Sequence, residues 1–263
     1  VEEAAFLAAA EALAAGRLAA GEATGVSLGI DVAIDGIKAA YWRAVLSDGP
    51  LGASPLHFPF TAPNTVAAQL TILLGLAGES TTVCGGSVSG AQAIGLAAEA
   101  VREGRCAAVL AGGAGSVGAE RIEEDGTDSG GWDGTERSAA AFLLLAAADG
   151  GDALAEVAGY AEGRGPKGPA EAAARCLAAA GIAPRDVARV VAAGSGAERI
   201  AAGAAEAGID APVVSAPLPG LVEAAFPAAA AAGAASGPWP LLVVADDPVS
   251  GSAALLLVRG GRR

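Results

Sequence analysis

The sequence predicts an α/β fold, and three observations predict it. Apolar positions alternate along the chain between the helical and the strand period, which is the pattern of helices layered on sheets. Small residues dominate: 39 glycines and only 4% aromatics in 263 residues imply thin, closely stacked layers rather than a core of bulky rings. Clusters of Gly, Pro and Asp fall between the periodic segments. With 53% hydrophobic residues, the chain is long enough for one large unit or two half-units around a continuous core.

In chain order, Glu2 to Leu18 predicts an alanine-rich helix and Gly25 to Ile30 a short strand. Ile34 to Leu46 has helical spacing and stops at Asp48-Gly49-Pro50. A Pro-punctuated loop follows, and Asn64 is placed to N-cap a helix over Thr65 to Leu74. Thr81 to Cys84 is a strand. Ser87 or Ser89 opens a helix running to Arg102, and Ala107 to Ala111 is a buried strand. Glu120 to Gly134 is acidic and aperiodic, hence loop. Ala139 to Ala147 is an apolar run of strand length, and Leu154 to Tyr160 is expected to pair with it. Pro169 to Ala180 is a helix stopped by Gly181. Val187 to Ala192 is a strand, Ala197 to Ala207 a helix and Val213 to Val214 a short strand. Leu221 to Ala235 predicts a helix broken or kinked near Pro227. Leu241 to Ala245 and Ala253 to Val258 close the chain as a hairpin. No linker composition interrupts this order, so one compact unit of two similar halves is expected, residues 1–150 and 151–263.

The net charge of −13 and pI near 4.4 disfavour nucleic acid and anionic membrane surfaces, both of which need a basic face. The longest apolar run, Ala224 to Ala235, is shorter than the roughly 20 residues of a membrane span. Glu2, Glu3 and Glu11 interrupt any signal-peptide core. Cys84, Cys106 and Cys176 are odd in number and widely spaced. They define neither a disulfide framework nor a zinc motif, and a reducing cytoplasmic setting is expected.

One stretch is more specific. Ser54-Pro55, Pro59, Thr61, Pro63-Asn64, Ala67-Ala68-Gln69, Gly75-Leu76, Gly78 and Ser80-Thr81-Thr82 lead into Ser87-Val88-Ser89-Gly90. The pattern continues through Gly95 and Arg102 to Ala111-Gly112-Gly113-Ala114. This segment resembles the nucleophile helix and following central strand of β-ketoacyl synthases, a family of the thiolase-like superfamily. Weaker resemblances follow in the family's order at Ala139 to Leu145, Val190 to Gly196, Ser215 to Ala225 and Ser252 to Val258. The resemblance implies a shortened thiolase-like layered αβαβα sandwich, with the nucleophile-position helix in its N-terminal half. The family's first strand and part of the region that lines the acyl pocket have no counterpart.

Condensation in that family needs a thiolate at a helix N-terminus and polar groups that decarboxylate the malonyl partner and stabilise its enolate. Alignment places Ser87 at the nucleophile position. A serine hydroxyl needs an adjacent base, yet the two family histidine positions are Ala193 and Gly220 and the lysine position is Ser215. The turn that supplies an oxyanion donor reads Asp247-Pro248-Val249-Ser250, and Pro248 has no N–H to give. Ser87 is therefore read first as an N-cap or helix-start residue and second as a nucleophile. Cys84 is read as a small buried hydrophobe, and His57, the single histidine, as a structural or surface residue. Gly113-Ala114-Gly115-Ser116-Val117-Gly118 matches a dinucleotide fingerprint only formally, because no helical stripe follows. The acidic stretch with Asp125, Asp128 and Asp133 lacks EF-hand spacing and reads as a solvated loop. Neither cofactor nor metal is expected.

The resemblance thus implies a non-condensing subunit of chain-length-factor kind in type II polyketide or fatty-acid-like biosynthesis. It would pair with a catalytic ketosynthase as a heterodimer, or as a homodimer, and meet acyl carrier protein only indirectly. The alternatives are a Ser87-dependent acyl transferase, malonyl decarboxylase or hydrolase, and an inactive fragment of a 3-oxoacyl-ACP synthase.

Overall fold

A computed structural model describes residues 2–16, 23–30, 35–117, 137–147, 153–194, 196–216, 222–247 and 249–260. The described residues form two mixed sheets. The first contains β1 (Thr24–Ile30), β2 (Ser80–Val83), β3 (Ala108–Val117) and β4 (Arg137–Ala146), in the order β2-β1-β3-β4. The second contains β5 (Ala155–Gly163), β6 (Arg189–Ala193), β7 (Val213–Ala216), β8 (Leu241–Asp247) and β9 (Gly251–Arg259), in the order β5-β9-β8-β6-β7. Pairing follows one plan in both sheets. β1 is parallel to β2 and β3, and β3 is antiparallel to β4. Likewise β6 is parallel to β7 and β8, and β8 is antiparallel to β9. The second sheet adds β5, antiparallel along the outer edge of β9.

Strand alternation sorts the side chains into layers. On β6 and β8, Val191, Ala193, Leu241, Val243 and Ala245 face one core, while Val190, Ala192, Leu242 and Val244 face another. Helices α4 (Ser89–Arg102) and α7 (Val222–Ser236) fill the space between the sheets, through Ala91, Ile94, Ala97 and Phe226, Ala229, Ala230. Helices α5 (Gly168–Ala180) and α6 (Ala197–Glu206) cover the outside of the second sheet. Helices α1 (Glu2–Gly16) and α3 (Thr65–Leu74) cover the outside of the first, on Val26, Leu28, Leu110 and Phe142. Helix α2 (Asp35–Asp48) packs chiefly against the turn at Phe58–Thr61. The order is αβαβα, as the resemblance implied. Small residues make the middle layer thin. A Cβ on Gly95 would enter the Tyr160 ring, and one on Gly29 would enter the backbone of Ser89 and Gly90.

Local signals fared unevenly. Gly181 stops α5 in the left-handed region at φ 66°, where glycine bears no Cβ penalty. Asn64 does precede α3, but its side chain makes no capping hydrogen bond. Helix α7 is continuous through Pro227. That proline is the sixth helical residue, so the helix forgoes the hydrogen bond an amide there would donate to the Glu223 carbonyl and still continues to Ser236. Strand β5 pairs with β9, not with β4 as adjacency in sequence suggests. The helix that follows it decides this. The buried face of α5, Ala172, Ala173, Cys176 and Leu177, belongs with Val190, Leu242 and Val244 of the second sheet, and β5 goes where α5 must pack.

Candidate functional site

Four chain segments converge where the nucleophile-position helix begins. β2 ends at Val83, and a one-turn 3₁₀ segment at Gly86–Val88 leads into α4. This turn packs against β8, β9 and α7. Gly86 has φ 70°, and a Cβ there would lie 2.7 Å from the Cβ of Ser250, so the β8–β9 turn sits directly on it. The Ser27 hydroxyl donates to the Ala93 carbonyl at 2.8 Å, pinning α4 to β1.

Ser87 is half-buried in this turn. Val88 takes the N-cap position of α4, with no side-chain cap, so Ser87 is not the N-cap but lies in the 3₁₀ turn that starts the helix, the other role expected of it. Its hydroxyl lies beside the Asp247 carboxylate and favours that group's charged form. The same carboxylate accepts the backbone N–H groups of Val249 and Ser250, each at 2.8 Å from Oδ1. Partial burial pushes the Asp247 carboxyl upward. The N–H of Ser250, the Ser87 hydroxyl, the N–H of Val249 and the Ser250 hydroxyl outweigh it, and the group titrates below its ordinary value.

The sign of the pH dependence follows. A carboxylate with a depressed folded pKa contributes stability that is complete above its unfolded pKa, near 4, and is lost as pH falls through the folded value. The stability difference between the wild-type chain and Asp247→Asn is expected to be constant, at about 1 kcal/mol, from neutral pH down to roughly pH 5. It should shrink below pH 4, as read by chemical denaturation at stepped pH.

Of the other positions that the resemblance singled out, Ala193 and Ser215 are described and neither offers a base. Ala193 is fully buried at the end of β6, in register with Ala245 of β8 and Ala216 of β7. It contributes only a methyl to the core. Ser215 lies exposed on β7. Gly220 and Pro248 lie outside the described residues. His57 is exposed, in the turn before Phe58–Thr61. Cys84 is exposed rather than buried, because β2 ends one residue earlier and the chain turns outward. Cys106 and Cys176 are buried, and burial pushes the Cys176 thiol up to about 12, so it is no thiolate at neutral pH. Gly113 and Gly115 lie inside β3, not in a strand-to-helix turn, which removes the geometry a dinucleotide needs. Gly118 and the acidic stretch with Asp125, Asp128 and Asp133 lie outside the described residues.

Two features were not legible in the sequence reasoning. One is the Asp247 carboxylate itself. An Asx-type turn was readable in Asp247-Pro248-Val249-Ser250, but its reach to Ser87 was not. The other is a polar cluster joining α4 to β5: Glu162 accepts from the Tyr160 hydroxyl at 2.8 Å and from Gln92 Nε2 at 3.3 Å. Burial first, and Glu162 second, push the Tyr160 phenol upward. A surface cavity of about 580 Å³ opens beside this cluster, lined by Tyr160, Glu162, Arg164, Glu171 and Arg175 among others. Ser87 and Asp247 do not line it.

Two layered sheets of one plan, sandwiching the helix that starts beside Ser87, define a thiolase-like fold. Residues 2–130 match the family described as beta-ketoacyl synthase, N-terminal domain. A stretch of 91 residues is 35% identical to 3-oxoacyl-[acyl-carrier-protein] synthase 2 of Vibrio harveyi, covering 34% of this chain and 22% of that protein. The ishigamide ketosynthase/chain length factor superposes with a TM-score of 0.72 at 24% identity, over 93% of this chain and 75% of that one. A beta-ketoacyl synthase from Burkholderia phymatum superposes with a TM-score of 0.79 at 19% identity, over 98% of this chain and 82% of that one. The family match thus covers residues 2–130, just under half of the chain, and the likeness of the whole chain to these solved relatives is one of fold. It spans well under two thirds of the Vibrio synthase it matches. No described helix is long and apolar enough to cross a membrane.

Proposed function

We propose that this chain is a non-condensing ketosynthase-like subunit that pairs with a catalytic ketosynthase in type II polyketide or fatty-acid-like biosynthesis. The observation that carries the reading is the Asp247 carboxylate. It accepts the N–H groups of Val249 and Ser250, from the turn that in the family faces a developing oxyanion, and it lies beside the Ser87 hydroxyl. Condensation passes through an enolate and a tetrahedral oxyanion, both negative. A resident carboxylate repels both and also repels an incoming malonyl carboxylate. Its depressed pKa keeps it charged at neutral pH and makes it a poor acceptor for the serine proton.

The pairing half of the proposal is supported by the surface around β2. Strand β2 forms an edge of the first sheet among the described residues, and Ile72, Leu73 and Leu96 on the neighbouring helices α3 and α4 are exposed. An open strand edge flanked by apolar side chains suits sheet extension across a subunit interface. The ishigamide relative, a ketosynthase/chain length factor, is the kind of assembly this proposal assigns.

Co-expression with a tagged catalytic ketosynthase from the same gene neighbourhood tests the pairing. Copurification in equal amounts supports it, and its absence overturns it. The chemistry has a separate test. Ser87→Cys is expected to yield no condensation product, because Asp247 remains and a neighbouring carboxylate raises a thiol's pKa. Loss of one oxyanion donor alone costs about 10²–10³ in rate. Product formation by Ser87→Cys, or an acyl adduct on Ser87 of the wild-type chain by mass spectrometry, would overturn the non-condensing reading and favour a serine-dependent acyl transferase.

A further inference from the structure

The cavity of about 580 Å³ beside the α4–β5 polar cluster is separate from the site around Ser87. Its volume falls within the roughly 300–1,000 Å³ of small-molecule sites. It opens between the end of β5 and α5, from Tyr160 to Arg164 on one side and at Glu171 and Arg175 on the other. Four charged side chains line it: Glu162, Arg164, Glu171 and Arg175. Two are guanidiniums and two are carboxylates, so the lining is balanced in a chain whose net charge is −13.

These four charges do not close on one another. Elsewhere on the described surface opposite charges do, as Arg105 with Glu79 and Glu103, and Lys167 with Glu206. Within the cavity, Glu162 accepts from the Tyr160 hydroxyl at 2.8 Å and from Gln92 Nε2 at 3.3 Å. Both donors are neutral, so they fix the carboxylate in place and leave its charge. Arg175 Nη1 donates to the Glu162 backbone carbonyl at 2.9 Å, which engages one of its five N–H donors. Arg164 and Glu171 make no hydrogen bond or ion pair among the described residues. Lys167, the nearest cation in the chain to Arg164, is turned to Glu206 at 2.5 Å, so it leaves the balance unchanged.

We infer that this cavity binds a free α-amino acid as its zwitterion. An α-carboxylate is recognised by the forked N–H donors that guanidiniums present. An α-ammonium has three N–H donors and needs oxygen acceptors, best of all carboxylates. The cavity supplies both sets. A simple anion would meet two carboxylates along with the two guanidiniums, and a simple cation the reverse, so half of the lining would repel either. A ligand that carries both charges is favoured by all four side chains. Burial and Glu162 push the Tyr160 phenol upward, so it stays a hydroxyl at neutral pH and continues to hold Glu162 on the cavity wall. The inference stands apart from pairing with a ketosynthase, which concerns β2 in the other sheet.

Isothermal titration calorimetry of the unsubstituted chain with each standard L-α-amino acid in turn tests this. At least one is expected to bind with a Kd of about 1 mM or tighter. Its N-acetyl derivative lacks the ammonium and its methyl ester lacks the carboxylate, and each should bind weaker by about tenfold or more. Arg164→Ala and Glu171→Gln alter exposed side chains that bond nothing among the described residues, so both variants should fold as the parent does. Each should weaken binding of that amino acid by about tenfold, and a loss in either one places the ligand in this cavity. Four results overturn the inference. The first is that no amino acid binds. The second is an N-acetyl or methyl ester form that binds as tightly as the free amino acid. The third is inorganic phosphate or acetate binding as tightly, which would make this a general anion site. The fourth is unchanged binding in both variants, which would put the ligand elsewhere on the chain.

Discussion

Phe226→Ala is expected to lower the unfolding free energy by about 3–5 kcal/mol. The ring is 1% exposed and sits on α7 in the layer between the two sheets. Most of its neighbours in that core are small or branched aliphatics, among them Ala91, Ala97, Ala229, Val243 and Ala253. A truncated ring leaves a cavity that short side chains on rigid strands and helices cannot collapse to fill, so the cost lies toward the upper end of the range for aromatic deletions. A chain of this size is stable by only about 5–15 kcal/mol, so the variant loses a large share of its margin. Equilibrium urea denaturation checks this. A loss below about 1 kcal/mol would mean that the middle layer is looser than the structure has it.

Arg199→Ala is the second large expected loss, about 3 kcal/mol. Asp246 at the end of β8 has a side chain with no solvent exposure. It accepts the Ser252 hydroxyl at 2.6 Å and faces Arg199 Nε of α6 at 3.1 Å. Removing the guanidinium strands a buried charge, the costly half of breaking a buried pair. Arg199 itself is 37% exposed, which places the loss at the low end of the range for fully buried pairs. Asp246→Ala should cost less, because the freed guanidinium can turn to water. Arg199→Met/Asp246→Leu should recover much of the loss. Denaturation of the four proteins in one double-mutant cycle reads the coupling, and equal losses in the two single variants would contradict the assignment. The pair also bears on the site, since Asp246 immediately precedes the carboxylate that lies beside Ser87.

Much of the architecture was legible because it rests on local physics. Alternating residues on β6, β8 and β9 divide their side chains between two helical layers, and the sequence shows this as near-continuous apolar runs bounded by Gly and Pro. Helices α3 and α5 end at Gly75 and Gly181 as their left-handed caps require. The nucleophile segment was readable from Ser54 to Ala114 because close packing of α4 on β1 demands Gly and Ser at fixed places. Strand partnership was not readable. Val157 and Leu145 lie near each other in the chain, yet β5 and β4 end in different sheets because α5 carries β5 with it. Capping was not readable either. Asn64 and Ser87 are residue types that cap helices, and neither makes a side-chain cap, since Asn64 bonds no amide of α3 and Ser87 lies one residue before the Val88 N-cap of α4.

By itself, the sequence determined the α/β class, the run of helices and strands and the family resemblance of residues 2–130. Each of these is written in residue type and spacing. Only the tertiary structure decided that Asp247 reaches Ser87, that Cys84 is exposed, and that β4 has β3 alone beside it among the described residues. Those facts depend on segments distant in the chain being brought together, and local propensity contains no information about distance in space.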